Sequence, residues 1–177
     1  MQATVTECPG GAPVKSIVNK IVSGVLDDTD ETLQFSGGKA TSSEGETLQL
    51  LLPKAGQFSL PASGVAAASA SKNGNIVTVR IQLVQEKSTL SAPPAVHSTS
   101  MGYLDVASLD LSGVSITSFD TTYPGSSMEL TIDTSTGYVK TAVYTINLEI
   151  AAVGKVGIAS GTVGVSAKEV ESWTINW

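Results

Sequence analysis

Apolar and polar residues alternate with a period of two over much of the C-terminal half of this chain. Met128, Leu130 and Ile132 alternate with Glu129 and Thr131. Asp133-Thr-Ser-Thr-Gly137 then interrupts the pattern. A longer run follows, with Tyr138, Ala142, Tyr144, Ile146, Leu148 and Ile150 on one face and Val139, Thr141, Val143, Thr145, Asn147 and Glu149 on the other. Alternation of this kind predicts half-buried strands, and Gly137 supplies the positive φ of a tight hairpin. At roughly 3.3 Å per residue such a strand reaches on the order of 40 Å, the scale of a large curved sheet.

The pattern changes period near the N-terminus. Val14, Ile17, Val18, Ile21, Val22 and Val25 recur at helical spacing after Ala12-Pro13, which predicts an amphipathic helix over Pro13 to Leu26. β-Branched residues lower its intrinsic propensity, so packing must hold it. Its apolar stripe fits either a core helix lying on a sheet or a lid over a lipid cavity. Between helix and meander, Leu33 to Phe35, Thr47 to Leu52 and Val114 to Phe119 read as strands. Lys72-Asn-Gly-Asn75 reads as the turn of a hairpin joining Val65 to Ser71 with Ile76 to Val84. Glu86 to Ser100 holds Pro93-Pro94 and little periodicity, and reads as a long surface loop. The chain closes with Val156 to Ala167 and Glu169 to Trp177, the latter with Glu171, Trp173, Ile175 and Trp177 on one face.

These elements predict an α+β fold: a large curved antiparallel β-sheet, or half-barrel, with the N-terminal amphipathic helix on its concave face. A β-sandwich is the alternative architecture. The 177 residues suit a single domain, 1–177, with residues 1–12 as a flexible N-terminal segment. The net charge of −6 argues against nucleic acid as a partner, because phosphates need basic patches. No apolar stretch approaches the roughly 20 residues that cross a bilayer as a helix. Only 15% of residues are charged, a balance common in exported proteins, and no export signal is read in the chain. Cys8 is the single cysteine, so no internal disulfide forms.

Candidate chemistry is sparse. His97 is the only histidine and reads as a solvated loop residue. One histidine and one cysteine do not make a metal site, and Ala159-Ser160-Gly161 lacks the glycine of a nucleophile elbow. Gly154-Lys155 lacks the flanking residues of a phosphate loop. Asp27, Asp28, Asp30 and Glu31 form one dense carboxylate cluster, without the spacing of a calcium loop; a solvated helix end and a calcium site both fit it. Asp105, Asp110, Asp120, Glu129, Asp133 and Glu149 leave paired-carboxylate chemistry open, and nothing in the sequence singles out two of them. Trp173 and Trp177, four apart on a strand, fit core packing or sugar stacking. No cofactor and no catalytic residue is expected, and the reading is of a non-enzyme.

With the elements placed, a resemblance emerges. Leu60-Pro-Ala-Ser-Gly-Val65, Ala70-Ser-Lys-Asn-Gly-Asn-Ile-Val-Thr-Val79, Met128 to Lys140 and Glu171-Ser-Trp-Thr-Ile175 resemble exported proteins and lipoproteins of Gram-positive gut bacteria of unsettled function. The order of helix, long antiparallel strands and an Asp-x-x-Thr-Gly hairpin also resembles the LolA/LppX-type lipoprotein fold. That resemblance implies a half-barrel wrapped around a helix, able to hold a lipid. The lipobox of such proteins has no counterpart, since Val5-Thr6-Glu7 precedes Cys8. The expected function is an extracytoplasmic protein that binds a lipid or other hydrophobic small molecule between helix and sheet, with Ile17, Ile21, Tyr144, Ile146 and Leu148 as its wall. The alternative is a structural or adhesive surface module acting through sheet edges and loops.

Overall fold

The computed structural model describes residues 2–7, 34–36, 39–41, 58–105, 115–156 and 159–175. The expected helix over Pro13 to Leu26, the expected strand over Thr47 to Leu52, Cys8 and the Asp27 to Glu31 cluster lie outside them. The described chain is mostly antiparallel β-sheet, open rather than closed. Ten strands are described: β1 (Gln2–Glu7), β2 (Gln34–Ser36), β3 (Lys39–Thr41), β4 (Val65–Asn73), β5 (Ile76–Leu83), β6 (Glu86–Thr89), β7 (Ser115–Tyr123), β8 (Ser127–Asp133), β9 (Tyr138–Val156) and β10 (Ala159–Thr174). β2 and β3 form a separate ribbon; the other eight form one sheet.

β9 is the spine. It is 19 residues long, and from Thr141 to Val156 it pairs with β10 without a break. On its other side β9 pairs first with β8 and then with β7, which lie end to end along it. β5 continues the sheet beyond β8, and β6 beyond β7. Both breaks fall at the same level, between Leu83 and Glu86 and between Tyr123 and Ser127. Ser126 seals that corner: it is fully buried, its carbonyl accepts the Leu83 amide at 2.9 Å, and its Oγ accepts the Asn147 amide at 3.3 Å. The backbone polar groups freed by the interruption therefore keep partners.

The two hairpins form as their sequences predict. Gly74, at φ +57°, turns β4 into β5. Asp133 accepts the Ser135 amide on Oδ1 and the Gly137 amide on its carbonyl, and Gly137 completes the turn at φ +76°. Side chains with negative φ preferences would strain both glycine positions. The period-two face of β9 is also as read: Ala142, Ile146, Leu148 and Ile150 are buried, with Tyr144 half-buried and Tyr138 exposed at the turn. From β10, Val163, Val165 and Ala167 complete that face. Leu83, Met101, Tyr123 and Met128 pack with Ile146 and Leu148 into one core.

Several expectations are corrected. The two closing segments are one strand, β10, which runs through Lys168 without a break because Lys168 faces out opposite Asn147. Residues 2–7, read as part of a flexible segment, form β1 against β10. Glu86 to Ser100 is not a surface loop. It contains β6 and a short helix, His97–Ser100, and it buries Pro94, Val96, His97 and Ser100. Polar residues made this stretch look solvated, yet they bond to one another and to the backbone. Among the described residues, no helix is long and apolar enough to cross a membrane.

Candidate functional site

Strand register assembles two rows of side chains across five strands on the core face of the sheet. One row runs Ala68, Ile81, Met128, Tyr144, Glu171; the next runs Ala70, Val79, Leu130, Ala142, Trp173. Met128 and Ala142 are buried, whereas Ile81, Val79, Leu130, Tyr144 and Trp173 are only half-buried. The rows are continuous with the core through Ile146 and Leu148, which lie further along β9.

This apolar face ends in carboxyls. Glu169 stands opposite Ile146, and Glu171 opposite Tyr144. Burial, reinforced by the nearby Glu171, pushes the Glu169 carboxyl up to about 7. Burial also raises Glu171, against the opposing pull of a hydrogen bond with Trp173. The Tyr144 phenol is raised by burial and by the negative charge of Glu171. The surface is apolar in its middle and carries a proton-exchanging acid at its margin.

Of the expected wall residues, Ile17 and Ile21 lie outside the described residues. Tyr144 lies on the half-buried part of the face. Ile146 and Leu148 are 2% and 4% exposed and pack within the core.

A second assembly surrounds His97. The register of β6 on β7 sets Glu86 opposite Tyr123 and Ser88 opposite Thr121. The short helix lays His97 over this patch. Its ring is fully buried, with its centroid 4.6 Å from that of Tyr123. His97 Nδ1 lies 2.7 Å from Glu86 Oε2, and the amides of Val96 and His97 both donate to the same carboxylate at 2.9 Å. Burial alone would raise the Glu86 carboxyl, but these bonds from His97 and the two amides outweigh it and hold it below the ordinary value. Burial pushes His97 down, and Glu86 only partly offsets this. The imidazole is therefore neutral at pH 7, with Nδ1–H donating to Glu86 and Nε2 left as an acceptor. Among the described residues, Nε2 and Thr121 Oγ1 are both buried and have no hydrogen-bond partner. The Tyr123 hydroxyl accepts the Leu104 amide at 3.1 Å, and burial raises its pKa.

His97 is thus not the solvated residue read from the sequence. The sequence offers a partial signal: Glu86 and His97 flank a Pro-Pro turn that can fold one back on the other. Beside this assembly, a cleft of about 130 Å³ is bounded by Ser88, Thr89, Ala92, Tyr103 and Asp105. Two carboxylates left open for paired chemistry have local roles: Glu129 pairs with Arg80 at 2.7 Å, and Asp133 organises its hairpin. No protein-family model matches this chain, and neither a characterised protein nor a solved structure is significantly similar to it.

Proposed function

We propose that this chain is a non-catalytic, extracytoplasmic binding protein whose apolar sheet face holds a lipid or another amphipathic molecule. The supporting observation is the pair of register rows on β4, β5, β8, β9 and β10. Large aliphatic and aromatic side chains there are left half-buried next to the buried core. Small-molecule sites are mostly apolar with a few polar groups that fix orientation. Glu169 and Glu171 supply such groups at the edge of the face. The finer architecture belongs to the same reading: a half-barrel of the LolA/LppX type, with the helix over Pro13 to Leu26 covering the concave side.

The non-catalytic part of the reading is supported by the state of His97. Its Nδ1 is committed to Glu86 and its ring has no exposed surface, so a substrate cannot reach it. The extracytoplasmic part is supported only by the low share of charged residues.

The test is direct. Protein purified from a lipid-containing host is examined by native mass spectrometry and then extracted, with a fluorescent fatty-acid probe as a second readout. A bound amphipath, together with loss of probe binding in Val79→Asp, is the expected result. Apo protein that takes up no probe would overturn the reading.

A further inference from the structure

β4 ends the strand order of the sheet among the described residues. From Ala66 to Asn73 every one of its side chains is exposed on both faces, so the strand contributes nothing to the core. Among the described residues its strand pairing is the ladder to β5 alone. Ribbons held this way are marginal, and a further strand would add hydrogen bonds and remove surface from water.

β4 itself carries few of the usual devices that blunt an edge. A bulge at Ala66 guards one end, and Lys72 is the only charge. Beyond the bulge, Ala67 to Asn73 continues in regular register with no proline. We propose that this edge pairs, antiparallel, with the same edge of a second copy of the chain, making one continuous sheet across a two-fold axis at Ala70.

Full overlap of the regular run sets the register. With the axis at Ala70, Ala67 faces Asn73, Ala68 faces Lys72, Ser69 faces Ser71, and Ala70 faces itself. The two lysines fall on opposite sides of the axis and never oppose each other. No large side chain obstructs the approach. Charge also favours this edge for like-with-like contact. The chain carries −6, yet β4 and β5 hold Lys72 and Arg80 and no carboxylate, and Arg80 is neutralised by Glu129. Two acidic copies therefore meet here without setting strand carboxylates against each other. A two-fold contact closes on itself, so assembly stops at the dimer. Seven residues span only about 23 Å of edge. They cover far less than the roughly 800 Å² per partner of a standard interface, so the dimer is weak and depends on concentration. The contact stands whether or not the apolar face holds a ligand.

Sedimentation velocity over a concentration series tests it, with hydrogen exchange measured at both ends of the series. A monomer–dimer equilibrium is expected, with amide protection rising at residues 67–73 as the dimer forms. Ala70→Lys and Ala70→Glu, each placing like charges face to face on the axis, should be monomeric alone and should form a mixed dimer when combined. A monomer at every concentration, a dimer indifferent to both substitutions, or growth beyond the dimer would overturn the proposal. So would an edge that captures extended peptides while the chain itself stays monomeric. The exchange measurement needs no substitution, so it decides the matter even if a variant misfolds.

Discussion

Gly64 lies directly beneath Val96: a Cβ built at residue 64 would sit 2.7 Å from Val96 Cγ1 and 2.8 Å from Cγ2. The contact joins the start of β4 to the segment that carries His97, and it is reinforced on the backbone, where Val84 N–H donates to the Gly64 carbonyl at 3.0 Å. Val96 is β-branched and 7% exposed, so it cannot rotate away cheaply.

Gly64→Ala should therefore destabilise the fold by about 1–3 kcal/mol, the range for overpacking a filled interior. Val96→Ala in the same chain should return part of that loss, because it opens the space the new methyl needs. Chemical denaturation of the two single variants and the double variant measures the coupling. Additive losses would mean that the two residues do not share one packing site.

The Glu86–His97 pair should make the protein acid-sensitive. His97 has a folded-state pKa below its unfolded value of about 6.5, and Glu86 one below its unfolded value of about 4.3. Both groups bind protons more readily in the unfolded chain, so stability falls as pH drops. The loss begins near the unfolded histidine value and deepens through the carboxylate range. Glu86→Gln should cost about 2 kcal/mol or more at pH 7, since it weakens three charge-assisted bonds at once. Urea midpoints measured from pH 8 to pH 4 give both quantities, and a flat profile in the wild type would count against the buried pair.

Glu169 should behave in the opposite sense. Its folded-state carboxyl is raised to about 7, so the unfolded chain releases the proton first. The favourable contribution is complete below the unfolded carboxylate value and is lost as pH rises toward 7. Glu169→Gln should thus be more stable than the wild type at pH 8 and should lose that advantage at pH 4. Thermal melts at the two pH values compare them.

Ile146 and Tyr144 separate packing from ligand binding, although they are two residues apart on one face. Ile146→Ala should cost about 2–5 kcal/mol as a core truncation. Tyr144→Ala, at a half-buried position, should cost less stability and should weaken fatty-acid probe binding. If Tyr144→Ala leaves probe affinity unchanged, the half-buried rows are not the binding surface.

The local period was enough to find β5, β8 and the central face of β9, because apolar residues at every second position need a covered side. Asp133 to Gly137 and Asn73 to Asn75 were legible as turns, since only glycine takes the required φ without strain. The alternation could not say which strands lie side by side. Pairing Met128 with Tyr144 and Leu130 with Ala142 aligns separate apolar stripes into one surface, and that registration involves residues distant in sequence.

The same limit explains His97. A histidine among serines, prolines and alanines carries no hydrophobic period, so its sequence context looks solvated. Burial was decided by a long-range event: β6 pairs with β7, Glu86 comes to stand opposite Tyr123, and the carboxylate then accepts the amides and the imidazole that would otherwise need water. The sequence by itself determined where strands and turns can form, because those depend on neighbours within a few residues. Only the tertiary structure decided which polar groups could leave water, because each needs a partner brought from elsewhere in the chain.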